Sequence, residues 1–252
     1  MDHPLRLHLA NELHARPFLR IAGSVALTHY AIYAVGDTAV HHSLLKSLCE
    51  LTGLPEPAPQ ATHYNERWCP ERQLKWERHT EFSTFSFITH RHDADYFSGL
   101  ATEHIPSAWL QTLRGKRFVA TRIELVSSEE TSMAADNASA WFDGSSMVGS
   151  QVLGGAQVFC DWTIQADGFL RFLIVDKSLR PVQSGRLVQR LYEIETYRMM
   201  ALLALPVARE MSRSLDELEL SLASLMRSMD ERQGRQHDAA LLVQHPVNSL
   251  IK

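Results

Sequence analysis

One change of pattern limits this chain more than any other feature. Up to about residue 183, short β-type runs alternate with two brief helical stretches and are broken by Gly, Pro, Asn and Asp. From Ser184 to about Gln233 apolar residues recur at steps of three and four. Mostly strand-period runs with short helices, succeeded by one long helix-period run, argue for an α+β fold, with a mixed or antiparallel sheet backed by helices. The expected organisation is a head at 1–183, a helical, stalk-like segment at 184–233 and a frayed tail at 234–252.

Within the helical segment, Leu187, Leu191 and Ile194 share one face, and Arg190–Glu193 and Glu195–Arg198 stand at helix-neighbour spacing. Pro206 removes one backbone donor and crowds the Leu202 carbonyl, so a kink belongs near it. Beyond it, Met211, Leu215, Leu218, Leu222, Leu225 and Met229 alternate steps of four and three, an a/d seam. Such a short seam serves a homo-oligomer or a helix packed within its own chain equally well. The long helix is expected to leave the head.

In the head, residues 23–35 read as a strand, 37–51 as a helix, 74–89 as one long strand, 96–113 as a helix interrupted by Pro106, and 117–127 as an alternating strand. Residues 127–146 are polar and turn-rich and read as a loop. Asp167-Gly168 lies between two β-rich runs, the signature of a hairpin with a two-residue turn. That register puts Phe159, Asp161 and Thr163 on one face and Val158, Cys160, Trp162 and Ile164 on the other.

The stretch KWERHTEFSTFSFITHRH, residues 75–92, carries the densest polar chemistry. In one strand, Glu77, His79 and Glu81 would share a face, with the outer two carboxylates roughly 13 Å apart at the backbone, too far to hold one metal. A carboxylate–histidine pair remains, against the plainer reading of a polar strand face with Arg78 and Glu81 in ion pairs. His90, His92 and Asp95 approach the H-x-H-x-D-H pattern of metallo-β-lactamase-type hydrolases. However, Ala94 stands where that pattern needs aspartate, and no histidine lies between His104 and His237. The glycines at 144, 149, 154 and 155 lack a dinucleotide-binding register, and G-x-S-x-G, P-loop and H-E-x-x-H motifs are absent.

Composition excludes further classes. A net charge of −4 gives no basic surplus for nucleic acid, and the three cysteines are too scattered for a disulfide framework or a cysteine zinc site. The longest apolar run, beginning at Met199, is about half of what a bilayer span needs. The chain as given reads as soluble and cytoplasmic, with no cofactor or metal implied, no partner identified and no catalytic residue assigned.

Four phrases taken together resemble a bacterial family of uncharacterised, membrane-anchored proteins, domain-of-unknown-function family 3422: NELHARPF from Asn11, WERHTEF from Trp76, ADGF from Ala166, and GRLVQRLYEIETYRMMALLALPVARE from Gly185. The resemblance covers residues 5–225. It implies an α/β head, long helices and a C-terminal hydrophobic pair that holds full-length relatives on the cytoplasmic face of the inner membrane. This chain stops before such a pair, so the membrane is expected only through helices it lacks.

The polar residues carried over from the resemblance are Glu12, His14 and Arg16; Arg78, His79 and Glu81; and Arg190, Glu193, Glu195 and Arg198. They are expected either to converge in a polar pocket between sheet and helix or, with greater weight, to form a buried ion-pair network that orients the helix. The functional expectation is a non-catalytic head with a binding or structural role. Its rivals are a hydrolase using His14, His79 or His90 with a metal or carboxylate, which needs those groups in one cleft, and a regulatory or transport-related oligomer head.

Overall fold

The structure, a computed structural model, describes residues 18–34, 38–91, 95–128, 135–142 and 146–244, together with His3 and Arg6. Contacts divide the chain into two units, Met1–Met199 and Met200–Lys252.

The first unit is built on an eight-stranded sheet in the order β2-β3-β4-β1-β5-β8-β7-β6. Its strands are β1 (Val25–Tyr33), β2 (His63–Cys69), β3 (Arg72–Arg78), β4 (Phe82–His90), β5 (Arg117–Ser127), β6 (Val148–Val152), β7 (Ala156–Cys160) and β8 (Leu170–Asp176). Only β5 and β8 run parallel; every other neighbouring pair is antiparallel. The sheet is therefore mixed and the fold α+β, as the change of pattern implies.

Two helices cover one face. Helix α1 (Thr38–Thr52) buries Leu44, Leu45, Leu48 and Cys49 against Tyr30, Ile32, Trp76, Phe85 and Phe87 of the sheet. Helix α2 (Ser107–Thr112) adds Trp109, whose indole N–H donates to the Leu44 carbonyl at 3.1 Å and so ties the two helices together. Aromatic rings dominate this core, and each removes a large apolar area from water.

Helix α3 (Pro181–Leu202) covers the opposite face. Its buried stripe is Ser184, Gly185, Leu187, Val188, Tyr192, Glu195 and Thr196. The stripe is turned from the one expected: Ile194 is 52 % exposed, whereas Glu195 is 3 % exposed. Gly185 sits where the backbone near Leu19 crosses the helix, and a Cβ there would overlap the Leu19 carbonyl.

Four local expectations change. The long strand expected at 74–89 is two strands, β3 and β4, joined by a turn at residues 79–81. β2, which precedes them, pairs with β3 through a turn at Pro70–Glu71. Residues 96–105 are turns, so the helix before Pro106 is absent and only α2 after it forms. Residues 135–141 form a 3-10 helix rather than loop, and Ala138 is buried against the far end of the sheet.

The Asp167-Gly168 hairpin is present, but its turn has three residues. Gln165 N–H donates to Phe169 O, Gly168 N–H donates to Gln165 O, and Gly168 takes φ +82°. That is the three-residue loop with a glycine bulge, which leaves Asp167 free to use its carboxylate.

In the second unit the main element is helix α4 (Leu205–Gln244). The helical run breaks at residues 203–204, just before Pro206. Without an N–H, Pro206 cannot bond the Leu202 carbonyl, and it is tolerated in the first turn of a new helix. From Leu205 to Arg232 every residue is exposed, including Met211, Leu215, Leu218, Leu222, Leu225 and Met229 at 56–65 %. Among the described residues, no helix is long and apolar enough to cross a membrane.

Candidate functional site

Where α3 crosses β3, β4 and β1, a polar layer replaces the apolar core. Lys75 and Glu77 alternate on β3 and face the helix, with side chains 2 % and 4 % exposed and Nζ 3.0 Å from Oε2. Lys75 also donates to Gln189 Oε1 at 3.2 Å and to the Tyr192 hydroxyl at 3.3 Å. Two acceptors from α3 thus hold a charge supplied by the sheet.

His29, from β1, completes the layer. It is fully buried, its Nδ1 lies 2.8 Å from Ser86 Oγ, and its ring stacks on Tyr192 at 4.2 Å between centroids. Burial, reinforced by the Lys75 charge, pushes its pKa down to about 3, so it is a neutral imidazole at neutral pH. The buried atoms Glu77 Oε1, His29 Nε2 and Thr196 Oγ1 have no hydrogen-bond partner among the described residues. Beside them, Glu77, Thr84, Tyr192 and Thr196 help line a cavity of about 10 Å³, the size of a single water.

The residues expected to form the site divide around this layer. Glu12, His14 and Arg16 lie outside the described residues. His79 and Glu193 reach the rim of the small cavity. His79 stacks on Phe82 at 3.9 Å, and Glu193 accepts from Gln189 Nε2 at 2.8 Å. Arg78 is half-buried and Glu81 exposed, and neither forms an ion pair among the described residues. Arg190 points to solvent and does not pair with Glu193.

Glu195 and Arg198 do pair, through two contacts of 2.8 Å, with the guanidinium 5.6 Å above the Trp162 ring. Cys160, near that pair, is a buried thiol whose pKa burial pushes up to about 12, so it is unreactive at neutral pH. His79 and His90 stand at opposite ends of β4, on the order of 25 Å apart by strand rise, so they share no cleft. Among the described residues, no three His, Cys, Asp or Glu side chains gather as metal ligands.

Sequence reasoning passed over Lys75, His29, Gln189 and Tyr192. The available signal was Lys75 alternating with Glu77 beside the hydroxyl-rich FSTFSF run of β4, which places polar groups at every second position of a covered face.

The other face holds a second buried ionic cluster. Glu124 Oε1 accepts from Arg91 Nη1 at 2.9 Å and from the Phe97 backbone N–H at 3.1 Å. Asp167 Oδ2 takes Arg122 at 3.1 Å and Arg171 at 2.8 Å. Both guanidiniums lie over the Phe97 ring, at 5.4 and 5.2 Å, and Phe97 itself holds φ +61°. Burial raises the Asp167 pKa, but its bonds to Arg171, Phe169 N–H and Arg122 outweigh burial and leave it below the usual carboxylate range.

Comparison with known proteins adds one match. A family model described as a protein of unknown function (DUF3422) covers residues 1–245. No curated protein matches the chain, and no solved structure does. With nearly its whole length matched, the chain belongs to the DUF3422 family of proteins of unknown function.

Proposed function

We propose that this chain is a non-catalytic head with a binding or structural role, in which a buried polar layer fixes helix α3 on the sheet. In this reading the head is the cytoplasmic part of a membrane-anchored protein. The observation that carries the reading is the Lys75–Glu77 pair, buried under Gln189 and Tyr192 beside space for no more than a water. Charges enclosed in this way orient packed elements and have no room for a substrate.

The test is rescue of a deletion strain by a full-length family member in which the equivalents of Lys75 and Glu77 are replaced together by Met and Leu. Replacing both partners removes the charges without leaving one unpaired. Rescue at wild-type protein level supports docking. Failure to rescue by a stable, abundant variant assigns chemistry to the pair instead.

The exposed seam of α4 favours a second role for the same chain, assembly with copies of itself. A helix this long with six seam residues more than half exposed gains stability by covering that stripe. Light scattering of the purified chain should then give a multiple of 28.6 kDa that Leu218→Lys returns to the monomer mass. A monomer at high concentration removes this reading.

A further inference from the structure

On the sheet face opposite α3, helix α2 and the turn after it wall a cavity of about 420 Å³, within the range of small-molecule sites. Its charged lining residues are two arginines, Arg114 and Arg117, with Ser107 and Gln111 beside them and Leu110 and Phe169 among its apolar walls. Elsewhere on this face, Arg91, Arg122 and Arg171 each meet a carboxylate. Arg114 and Arg117 meet none among the described residues.

Arg114 and Arg117 are exposed, and Arg117 rests against two rings. Its guanidinium carbon lies 5.3 Å from the Tyr30 ring centre and 5.6 Å from that of Phe169. Tyr30 is 2 % exposed and Phe169 4 % exposed, so the two rings are fixed by the core. Stacking on rings orders a guanidinium while leaving most of its N–H fork unspent, and an ordered fork loses less entropy when it binds.

We propose that this cavity binds a small organic anion. Its oxyanion, a carboxylate or phosphate monoester, would be taken by Arg114 and Arg117, and its apolar body would rest on Leu110 and Phe169. Guanidinium pairs suit both oxyanions because each offers two acceptor oxygens to a planar fork. The site lies on the face away from the Lys75–Glu77 layer, so its failure and the failure of the docking reading are separate results.

The test uses the full chain with benzoate, phenyl phosphate, inorganic phosphate and neutral benzamide, read by saturation-transfer NMR and by thermal melting. Benzoate or phenyl phosphate should bind in the millimolar range or tighter and raise the melting temperature; the tighter of the two identifies the preferred oxyanion. Benzamide should bind markedly less. Arg114→Gln with Arg117→Gln should weaken binding about tenfold or more, since each lost contact involves a charged group. Leu110→Trp, which fills the cavity and keeps both charges, should block binding and covers the case in which the double variant does not fold. Three results would overturn the proposal: no binding of either aromatic anion, equal binding by the Leu110→Trp variant, or inorganic phosphate binding as well as phenyl phosphate.

Discussion

The two faces of the sheet bury charge in opposite ways. Under α3, one lysine and one glutamate from a single strand pair with each other, and the lysine meets an amide and a phenol from the helix, beside a stacked neutral imidazole from β1. On the other face, Arg91, Arg122 and Arg171 meet Glu124 and Asp167, drawn from separate segments. There the charges clamp loops, fixing the positive-φ Phe97 and the hairpin turn that carries Asp167. The first arrangement links a helix to the sheet; the second ties down irregular backbone that has no ladder of its own. Buried charge is tolerated in both only because every charged group has a partner.

The largest effect should come from breaking the clamp. Glu124→Ala removes the carboxylate that accepts from both Arg91 and the Phe97 N–H, at a cost of about 3 kcal/mol in urea unfolding. A smaller cost would mean that Arg91 turns to solvent, and the two faces would then be alike.

The layer under α3 should respond to pH. His29 has a folded pKa near 3, below its unfolded value of 6.5, so the unfolded chain binds a proton that the folded one refuses between those values. Its contribution is complete above pH 6.5 and falls with acid by up to about 1.4 kcal/mol per pH unit. His104, lowered to about 4 by burial and then by Arg72, adds in the same direction. His29→Gln should flatten the stability profile between pH 6.5 and 5, measured by denaturant titration. An unchanged slope would place the acid sensitivity elsewhere.

The smallest effect should be at Arg190. It is exposed and makes no pair with Glu193, so Arg190→Ala should change stability by less than about 0.5 kcal/mol. A larger loss would restore the helix-surface pairing that the spacing suggests.

How much the sequence reveals depends on how local each signal is. Strand β5 runs from Arg117 to Ser127 as its alternation implies, and the β7–β8 hairpin is marked by Asp167-Gly168. The β3–β4 turn was hidden because His79, Thr80 and Glu81 include no Gly, Pro or Asn to mark it. Arg122 and Glu124 look like the wet face of an alternating strand. They are buried because a parallel neighbour, β8, puts β5 in the sheet interior with both faces covered.

The α3 stripe misled for a related reason. Apolar spacing favoured Ile194, but the layer it faces is polar, so Glu195 and Thr196 turn inward instead. The polar residues carried by resemblance fall on α3, on the end of β3 and on the β3–β4 turn, apart from those outside the described residues. The hydrogen bonds between β3 and α3 run from Lys75 to Gln189 and Tyr192.

Amide hydrogen exchange on the Lys75→Met variant addresses the docking role most directly. Loss of the charge should open α3 selectively, lowering protection around residues 188–196 while β5 and β8 keep theirs. Unchanged protection in α3, or an equal drop throughout the sheet, would contradict the view that this buried layer fixes the helix.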